Sequence, residues 1–366
     1  MKHFGIMSLS LNNETGYINE IAKHADPAEF RIYHFVPSTF NPYTEKVKGK
    51  IFHHKKNAWI HGEFPLPSII YDRCFYHESP HSNQCKNIVA WLKQQKNITF
   101  IGNGLPHKLK LYEVLAASSL KAYLPQTKKL TDARELIADF SSINPVIIKP
   151  IHGFQGNGIY FIQKKKTEII VKIDKTEKQV EHTFTDEQKF SDWLNKILAK
   201  NDYLSQPYLP LCTRNKQPFD IRCLLQKNPD GQWKTIEKGI RLGDKNRIVS
   251  NLSAGAKVIP FSDWIKNWPN ASQKFLMQEL TDILAAIPEI LEACFPSLFE
   301  LGVDIGITEN GSLWILDINS KPGRKVILSA YPHLSEQLYK APTLYAAAVT
   351  DNSETRGNSN EKTLSN

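Results

Sequence analysis

The rhythm of hydrophobic positions changes several times along the chain. Short runs of β-branched and aromatic residues at 4–7 and 68–71 stand beside a helix-like stretch at 87–95, so residues 1–100 are expected to form a small α/β unit. Near residue 100 the pattern shifts: 98–101 predicts a strand, Gly102-Asn103-Gly104 a turn, and Leu111, Val114 and Leu115 recur at the 3.6-residue period of a helix over 108–120. From Pro145 onward strands dominate, at 146–149, 158–162, 219–225, 303–308 and 313–318, with helical patterns at 185–199 and 264–295. The expected division is an N-terminal domain (1–100), a larger domain (101–345) with lobes parting near 205/206, and a disordered tail (346–366) that is almost wholly polar.

The length of 366 residues suits two to three packed domains. Forty-six Lys and Arg against 37 Asp and Glu give a formal charge of +9, which favours an anionic partner without choosing among nucleotide, acidic substrate and nucleic acid. The five cysteines form no C-x-x-C pair, which argues against a disulfide framework or zinc ribbon and for a reducing cytoplasm. The opening residues lack a signal-type apolar stretch and no window is apolar enough to cross a membrane, so a soluble, unexported protein is expected. His53, His54, His61, His77 and His81 crowd the first hundred residues, but none pairs at a metal-binding helical spacing, and solvated loop histidines are the expectation.

Three segments carry chemistry. In 146–162, two strands flank a loop holding Gly153, Gln155, Gly156 and Gly158. Glycines let the backbone turn its N–H groups onto a ligand as a phosphate cradle, and Lys149 ends the preceding strand as a point charge for an α- or β-phosphate. The spacing is not the dinucleotide fingerprint, and a strand follows where a helix would open. An ordinary glycine-rich hairpin fits the same letters. In 303–323, Asp317 and Asn319 are two apart in a strand and share a face, with Trp314, Leu316 and Ile318 expected on the other. The turn Glu309-Asn310-Gly311 folds the strand of Asp304 back beside them. Oxygen ligands without His or Cys suit Mg²⁺, with Mn²⁺ the alternative, although polar residues ending a strand before Pro-Gly are also common. In 203–255, Asp220 and Arg222 alternate with Phe219, Ile221 and Cys223, and Arg241 follows in another strand. Structural ion pairs explain each arginine alone; with Lys149 they also make a set of donors suited to a phosphoryl group in transfer.

The order of these parts resembles an ATP-grasp enzyme. Through HKLKLYEVLAASSLKAYLPQTKKL, VIIKPIHGFQGNGI, PFDIRCLLQ, GIRLG, SNLSAGA and LGVDIGITENGSLWILDINSKPG, the chain is similar to the YheC/YheD family, described as endospore-coat-associated proteins of bacilli. The resemblance implies an α/β fold with α+β lobes and an N-terminal α/β unit preceding the ATP-grasp core. It implies ATP-phosphate lysines at Lys108 and Lys149 and a covering loop with Gly153, Gln155, Gly156 and Gly158. A hinge at Gln206, Tyr208 and Leu209 would meet the adenine, with Asp220 and Asn251 near ATP. Arg222 and Arg241 would steady the transferred phosphate, and Asp304, Asp317 and Asn319 would hold magnesium. Two departures stand out: Asp317 replaces the usual Glu, and Ser253-Ala254-Gly255 supplies no Arg where related ligases have one, leaving Arg247 or Arg324 as substitutes.

The expected activity is an ATP- and Mg²⁺-dependent ligase joining a small carboxylate or peptide to an amine through an acyl phosphate. The rival is a nucleotide-binding spore-coat or scaffold protein without turnover, with coat proteins as partners. Nucleic-acid binding rests only on the charge and on Lys164-Lys165-Lys166, which reads better as a solvated hairpin tip.

Overall fold

The computed structural model describes all residues except 142–143, 153–157, 176–177, 214, 246, 249, 251–255, 296 and 364–366. Gly153, Gln155, Gly156 and Asn251 therefore lie outside the described residues.

The chain forms three sheets in sequence. The first domain contains β1 (Lys2–Met7), α1 (Thr15–His24), β2 (Phe30–Phe35), β3 (Lys46–His53), β4 (Ala58–Pro65), β5 (Ile69–Asp72), α2 (Pro80–Leu92) and β6 (Thr99–Ile101). Its six strands are ordered β4-β3-β2-β1-β5-β6, parallel among β2, β1, β5 and β6, with β3 and β4 an antiparallel hairpin at one edge. The second sheet follows α3 (Lys108–Ala116) and comprises β7 (Lys128–Leu130), then after α4 (Ala133–Asp139) β8 (Val146–Pro150), β9 (Tyr160–Lys164), β10 (Ile169–Asp174) and β11 (Gln179–Phe184), and after α5 (Glu187–Leu198) β12 (Tyr203–Pro207). The third contains β13 (Phe219–Lys227), β14 (Trp233–Leu242) and β15 (Lys257–Pro260), then α6 (Phe261–Trp264) and α7 (Asn270–Cys294), then β16 (Glu300–Ile307) and β17 (Leu313–Asn319). The chain ends in α8 (Lys325–Ala330) and α9 (Ser335–Thr363).

The third sheet shows how alternation positions the site. Ile221, Cys223, Leu225, Ile240, Val303 and Ile318 are buried in one core with Leu280, Ile283, Leu284 and Ile287 of α7, whose apolar residues recur at helical spacing. The opposite face carries the polar residues, beside an apolar patch where Leu224 and Ile236 pack against Ile327 and Leu338. The strand pattern also breaks once: the β16–β17 register shifts between Asp304 and Ile305. Strict alternation places Leu316 with Ile318 against the core; the bulge changes the phase, so Leu313, Ile315 and Ile318 face the core while Leu316 turns to the opposite side, beside Asp317.

The segment read as a tail begins differently. Helix α9 runs through it to Thr363, and Tyr345 and Ala346 are buried in the N-terminal core, with Ala347 and Val349 packed against it. Alanines and a valine amid polar letters give a weak apolar signal, which becomes a packing face only once the N-terminal sheet and α1 are beside it. No helix among the described residues is long and apolar enough to cross a membrane.

Candidate nucleotide site

Cross-strand register gathers the charged residues. Asp220 pairs with Arg241 across β13–β14, Arg222 with Asp304 across β13–β16, and Asp304 with Asp317 across β16–β17. Directly opposed residues share a face, so these five side chains, with Asn319 two residues beyond Asp317, form one polar surface on the side away from α7. Lys108, the first residue of α3, brings Nζ to 3.1 Å from Asp317 Oδ2. Lys149, on β8 of the second sheet, donates from Nζ to the Leu316 carbonyl at 3.3 Å. Four cations thus meet three carboxylates, an arrangement with room for an anion.

Each pairing sets a charge state. Arg241 donates from Nε to Asp220 Oδ1 at 2.6 Å and from Nη2 to Asp220 Oδ2, and lies 3.0 Å from Asp304 Oδ2. Burial disfavours its charge, but Asp220 and Asp304 outweigh burial and raise its pKa. Arg222 reaches Asp304 with Nη2 at 3.2 Å; its Nε sits 2.7 Å from Asp304 Oδ1 but off the hydrogen-bonding angle, and both atoms stay buried without a directed partner. Burial pushes the Asp304 carboxyl up, opposed by Arg222 and Arg241 and assisted by Asp220 and Asp317. Burial also acts on Asp317, yet Lys108 and Lys149 hold it net below the usual carboxylate range. Burial and the neighbouring Lys108 lower Lys149 to about 8, against the pull of Asp317.

These residues line a cavity of about 190 Å³ between the second and third sheets. Lys108, Lys149, Asp220, Arg241, Asp304 and Asp317 face it, as do Gln206, Tyr208 and Leu209 from the segment leaving β12. Ile147, Ile159, Leu211, Phe219 and Leu316 supply apolar walls, so one cavity offers surfaces for a flat ring and for phosphates. Gln206 donates from Nε2 to Thr127 Oγ1 at 2.5 Å, and the Tyr208 N–H donates to the Pro145 carbonyl at 2.9 Å, fixing the end of β12 and the residues after it to the second sheet. Gly158 has φ +75°, a left-handed conformation that favours glycine where the hairpin loop rejoins β9.

The structure brings together Lys108, Lys149, Gln206, Tyr208, Leu209, Asp220, Arg241, Asp304 and Asp317, with Arg222 and Asn319 adjoining through Asp304 and Asp317. Both Asp220 oxygens are engaged by Arg241, so its place is to hold that guanidinium. Leu316, Ile147 and Ile159 were missed by sequence reasoning. Their signal is only an apolar letter within a strand-like run, and the bulge that turns Leu316 cannot be read from such letters. Neither proposed substitute for the missing arginine joins the cavity: Arg247 donates to the Lys175 carbonyl at 2.6 Å, and Arg324 is bound to Glu300. The lysine run is a hairpin tip whose Lys164 and Lys165 pair with Glu187 and Glu168.

The family model for YheC/D-like ATP-grasp proteins matches residues 97–349. The chain is 37% identical over 339 residues to the endospore coat-associated protein YheC of Bacillus subtilis (strain 168), covering 92% of this chain and 93% of that one. Among solved structures it is similar to an N5-carboxyaminoimidazole synthetase from Staphylococcus aureus complexed with ADP, with TM-score 0.55, 12% identity, and 95% and 77% of the two chains covered. It is also similar to the D-alanine-D-alanine ligase from Coxiella burnetii, with TM-score 0.53, 11% identity and all of both chains covered. A cleft of lysines, arginines and aspartates between the second and third sheets is thus built on the fold these proteins share, and the chain belongs to the YheC/D family of ATP-grasp proteins.

Proposed function

We propose that the protein is an ATP-dependent ligase that joins a carboxylate to an amine through an acyl phosphate. The observation that carries this reading is the single polar face of the third sheet, where Arg222 and Arg241 flank Asp304 while Lys108 and Lys149 enter from the other side. A transferred phosphoryl group needs cations around its oxygens, and here four are held in place before any ligand arrives. The γ-phosphoryl group passes from ATP to a carboxylate oxygen, releasing ADP. The amine then attacks the acyl carbon, phosphate leaves, and one amine proton is lost as the amide forms. The apolar walls and the hinge hold the adenine, and closure of the lobes excludes water from the acyl phosphate.

The donor chemistry fits a hard divalent cation. Asp304 Oδ1 is buried without a directed partner, Asp317 stands opposite it, and Asn319 donates from Nδ2 to Asp317 at 3.3 Å, an amide orientation that a cation would reverse. Among the described residues no three His, Cys, Asp or Glu side chains form a metal cluster. Asp304, Asp317 and Asn319 would hold Mg²⁺ or Mn²⁺, which supplies charge neutralisation on the phosphates. Since Lys108 is engaged by Asp317 in this state, ATP should bind weakly until a cation takes the carboxylate and frees the lysine. Calorimetry with and without EDTA checks this, and equal affinity in both conditions overturns the metal assignment. ADP release, screened over pairs of carboxylates and amines, tests turnover.

A second reading, a coat component that binds nucleotide without turnover, is favoured by the coat-associated description of the Bacillus subtilis relative. It predicts ATP binding and coat-protein partners, with no ADP release for any pair.

A further inference from the structure

β4 is the outer strand of the first sheet: it pairs with β3 along its whole length and, among the described residues, with no strand on its other side. Ala58, Ile60, His61, Gly62, Glu63 and Pro65 are exposed. Gly62 has no side chain, so its exposure is that of the backbone, and a Cβ built there would meet no atom within 4 Å. Open edges are commonly blunted by shortness, a bulge, a lysine or an interior proline. β4 has eight residues, no register shift against β3, no lysine, and a proline only at its last position, so its outer N–H and C=O groups are a template for one more strand.

The strand beside it is cationic. Lys46, Lys48 and Lys50 alternate along β3 and share one face at a spacing of about 7 Å. Lys55 and Lys56 follow at the hairpin turn. From 46 to 65 these five lysines stand against the single carboxylate of Glu63, which lies opposite Lys48 in the ladder. None of the five makes an ion pair among the described residues. Around the second sheet, by contrast, Lys128, Lys129, Lys164, Lys165 and Lys172 each pair with a carboxylate. The hairpin is thus an unneutralised cationic face next to an open edge.

The two features together select the partner. Nucleic acid or a lipid surface would use the charge alone, whereas only a polypeptide strand also uses the edge. A lipid surface would further need an apolar face, but Trp59 is half-buried and donates from Nε1 to Asn19 Oδ1 at 2.6 Å, leaving Ile60 as the large apolar side chain of β4 that stands exposed. A second copy of this chain would bring its own five lysines to the same sheet. A strand added to β4 would lie about 10 Å from β3, two strand spacings, which an extended lysine and an extended glutamate bridge together.

We propose that β4 takes up an extended acidic segment of a partner polypeptide as an added strand, with carboxylates at alternate positions meeting Lys46, Lys48 and Lys50. The proposal is independent of the nucleotide site. The full chain is titrated at low ionic strength with acetyl-Glu-Val-Glu-Thr-Glu-Val-Glu-amide while hydrogen–deuterium exchange is followed over residues 58–65. The peptide binds at submillimolar concentration and slows exchange in β4. Lys46→Gln combined with Lys48→Gln weakens it about tenfold. Methylating alternate peptide nitrogens keeps every charge, and in the one of the two phases whose methyls face β4 binding falls about tenfold. Both lysines are exposed, so the double variant keeps its fold, which an unchanged thermal midpoint verifies. Absence of binding, absence of protection in β4, or binding indifferent to the lysines or to both methylation phases overturns the proposal. So does tighter binding of a thymidylate heptamer or of phosphatidylserine vesicles than of the peptide, and so does concentration-dependent protection of β4 in the chain alone, the mark of a second copy on the edge.

Discussion

Lys149 is half-buried beside another lysine, and burial together with Lys108 lowers its pKa from 10.5 to about 8. The folded protein therefore gives up this proton more readily than the unfolded chain, so Lys149 opposes folding below about pH 8 and this penalty fades as pH rises toward 10.5. Function runs the other way. Phosphate oxygens favour the ammonium, so ATP binding should take up protons around pH 8 and weaken as pH rises further. Calorimetry in buffers of different ionisation enthalpy should register that uptake, and Lys149→Met should abolish it while weakening ATP. Arg222 and Asp317 differ in kind. Arg222→Ala should lower kcat by about two to three orders of magnitude with a small change in ATP affinity, because a donor to developing charge acts in the transition state. Asp317→Asn keeps the shape and removes one metal-binding charge, so its defect should be a higher Mg²⁺ requirement that excess Mg²⁺ partly rescues. ADP release measured against Mg²⁺ for both variants separates the roles, and rescue of both or of neither contradicts them.

At the scale of elements, β16 is buried at every position from Glu300 to Ile307, yet it has glycines at 302 and 306. Gly306 leaves room for Leu211, whose Cδ1 would lie 2.7 Å from an added Cβ. Gly302 leaves room for the Arg222 guanidinium and for Pro322 at once. A methyl group there must displace the flexible guanidinium and also push back the turn that carries Pro322, since the proline ring cannot turn away. Gly302→Ala should therefore lower kcat by about ten- to a hundredfold through misplacement of Arg222, with ATP affinity and the overall fold retained. Steady-state kinetics beside an ATP titration check this; an unchanged kcat would mean that Arg222 does not act from this position.

The whole molecule is tied together through buried ion pairs that cross between the N-terminal domain and the third sheet. Glu300, fully buried, accepts from Tyr71 at 2.5 Å and from Arg73 at 2.8 Å, and also from Arg324. Lys321, in the turn after β17, donates to Asp72 Oδ1 at 2.8 Å and to the Cys74 carbonyl at 2.7 Å. Burial alone would push the Asp72 carboxyl up, but Lys321 and Lys93 outweigh it and lower its pKa below 3.8. Stability from this carboxylate is therefore present above the unfolded value and is lost as pH falls below it through the folded one. Lys321→Met should cost roughly 2–3 kcal/mol near neutral pH, and the gap to the parent should shrink below about pH 3.8. Denaturant melts at a series of pH values measure it. A gap that stays constant into acid would show that the pair is not the source.

The sequence by itself determined the α/β class, the two strands on either side of residues 153–157, the long helix behind the third sheet and most of the charged residues that the structure gathers on one face. These are legible because alternation and helical spacing are local, and because Lys149, Asp220, Arg222, Asp304, Asp317 and Asn319 sit at fixed intervals in or at the ends of strands. The order of those segments along the chain was enough to identify the family. Tertiary structure alone decided which strands pair, and hence that Arg241 meets Asp220 and that Arg222 meets Asp304. It also decided that a bulge turns Leu316 to the cleft and that the polar end of the chain starts as a helix packed on the N-terminal core. Glu14, Arg73, Glu300 and Arg324 lie far apart in sequence and carry no shared spacing, so their joining in one buried network of ion pairs follows only from the packing of the first sheet's segments against the third. Register and docking depend on packing summed over distant segments, and no single stretch of sequence contains that sum.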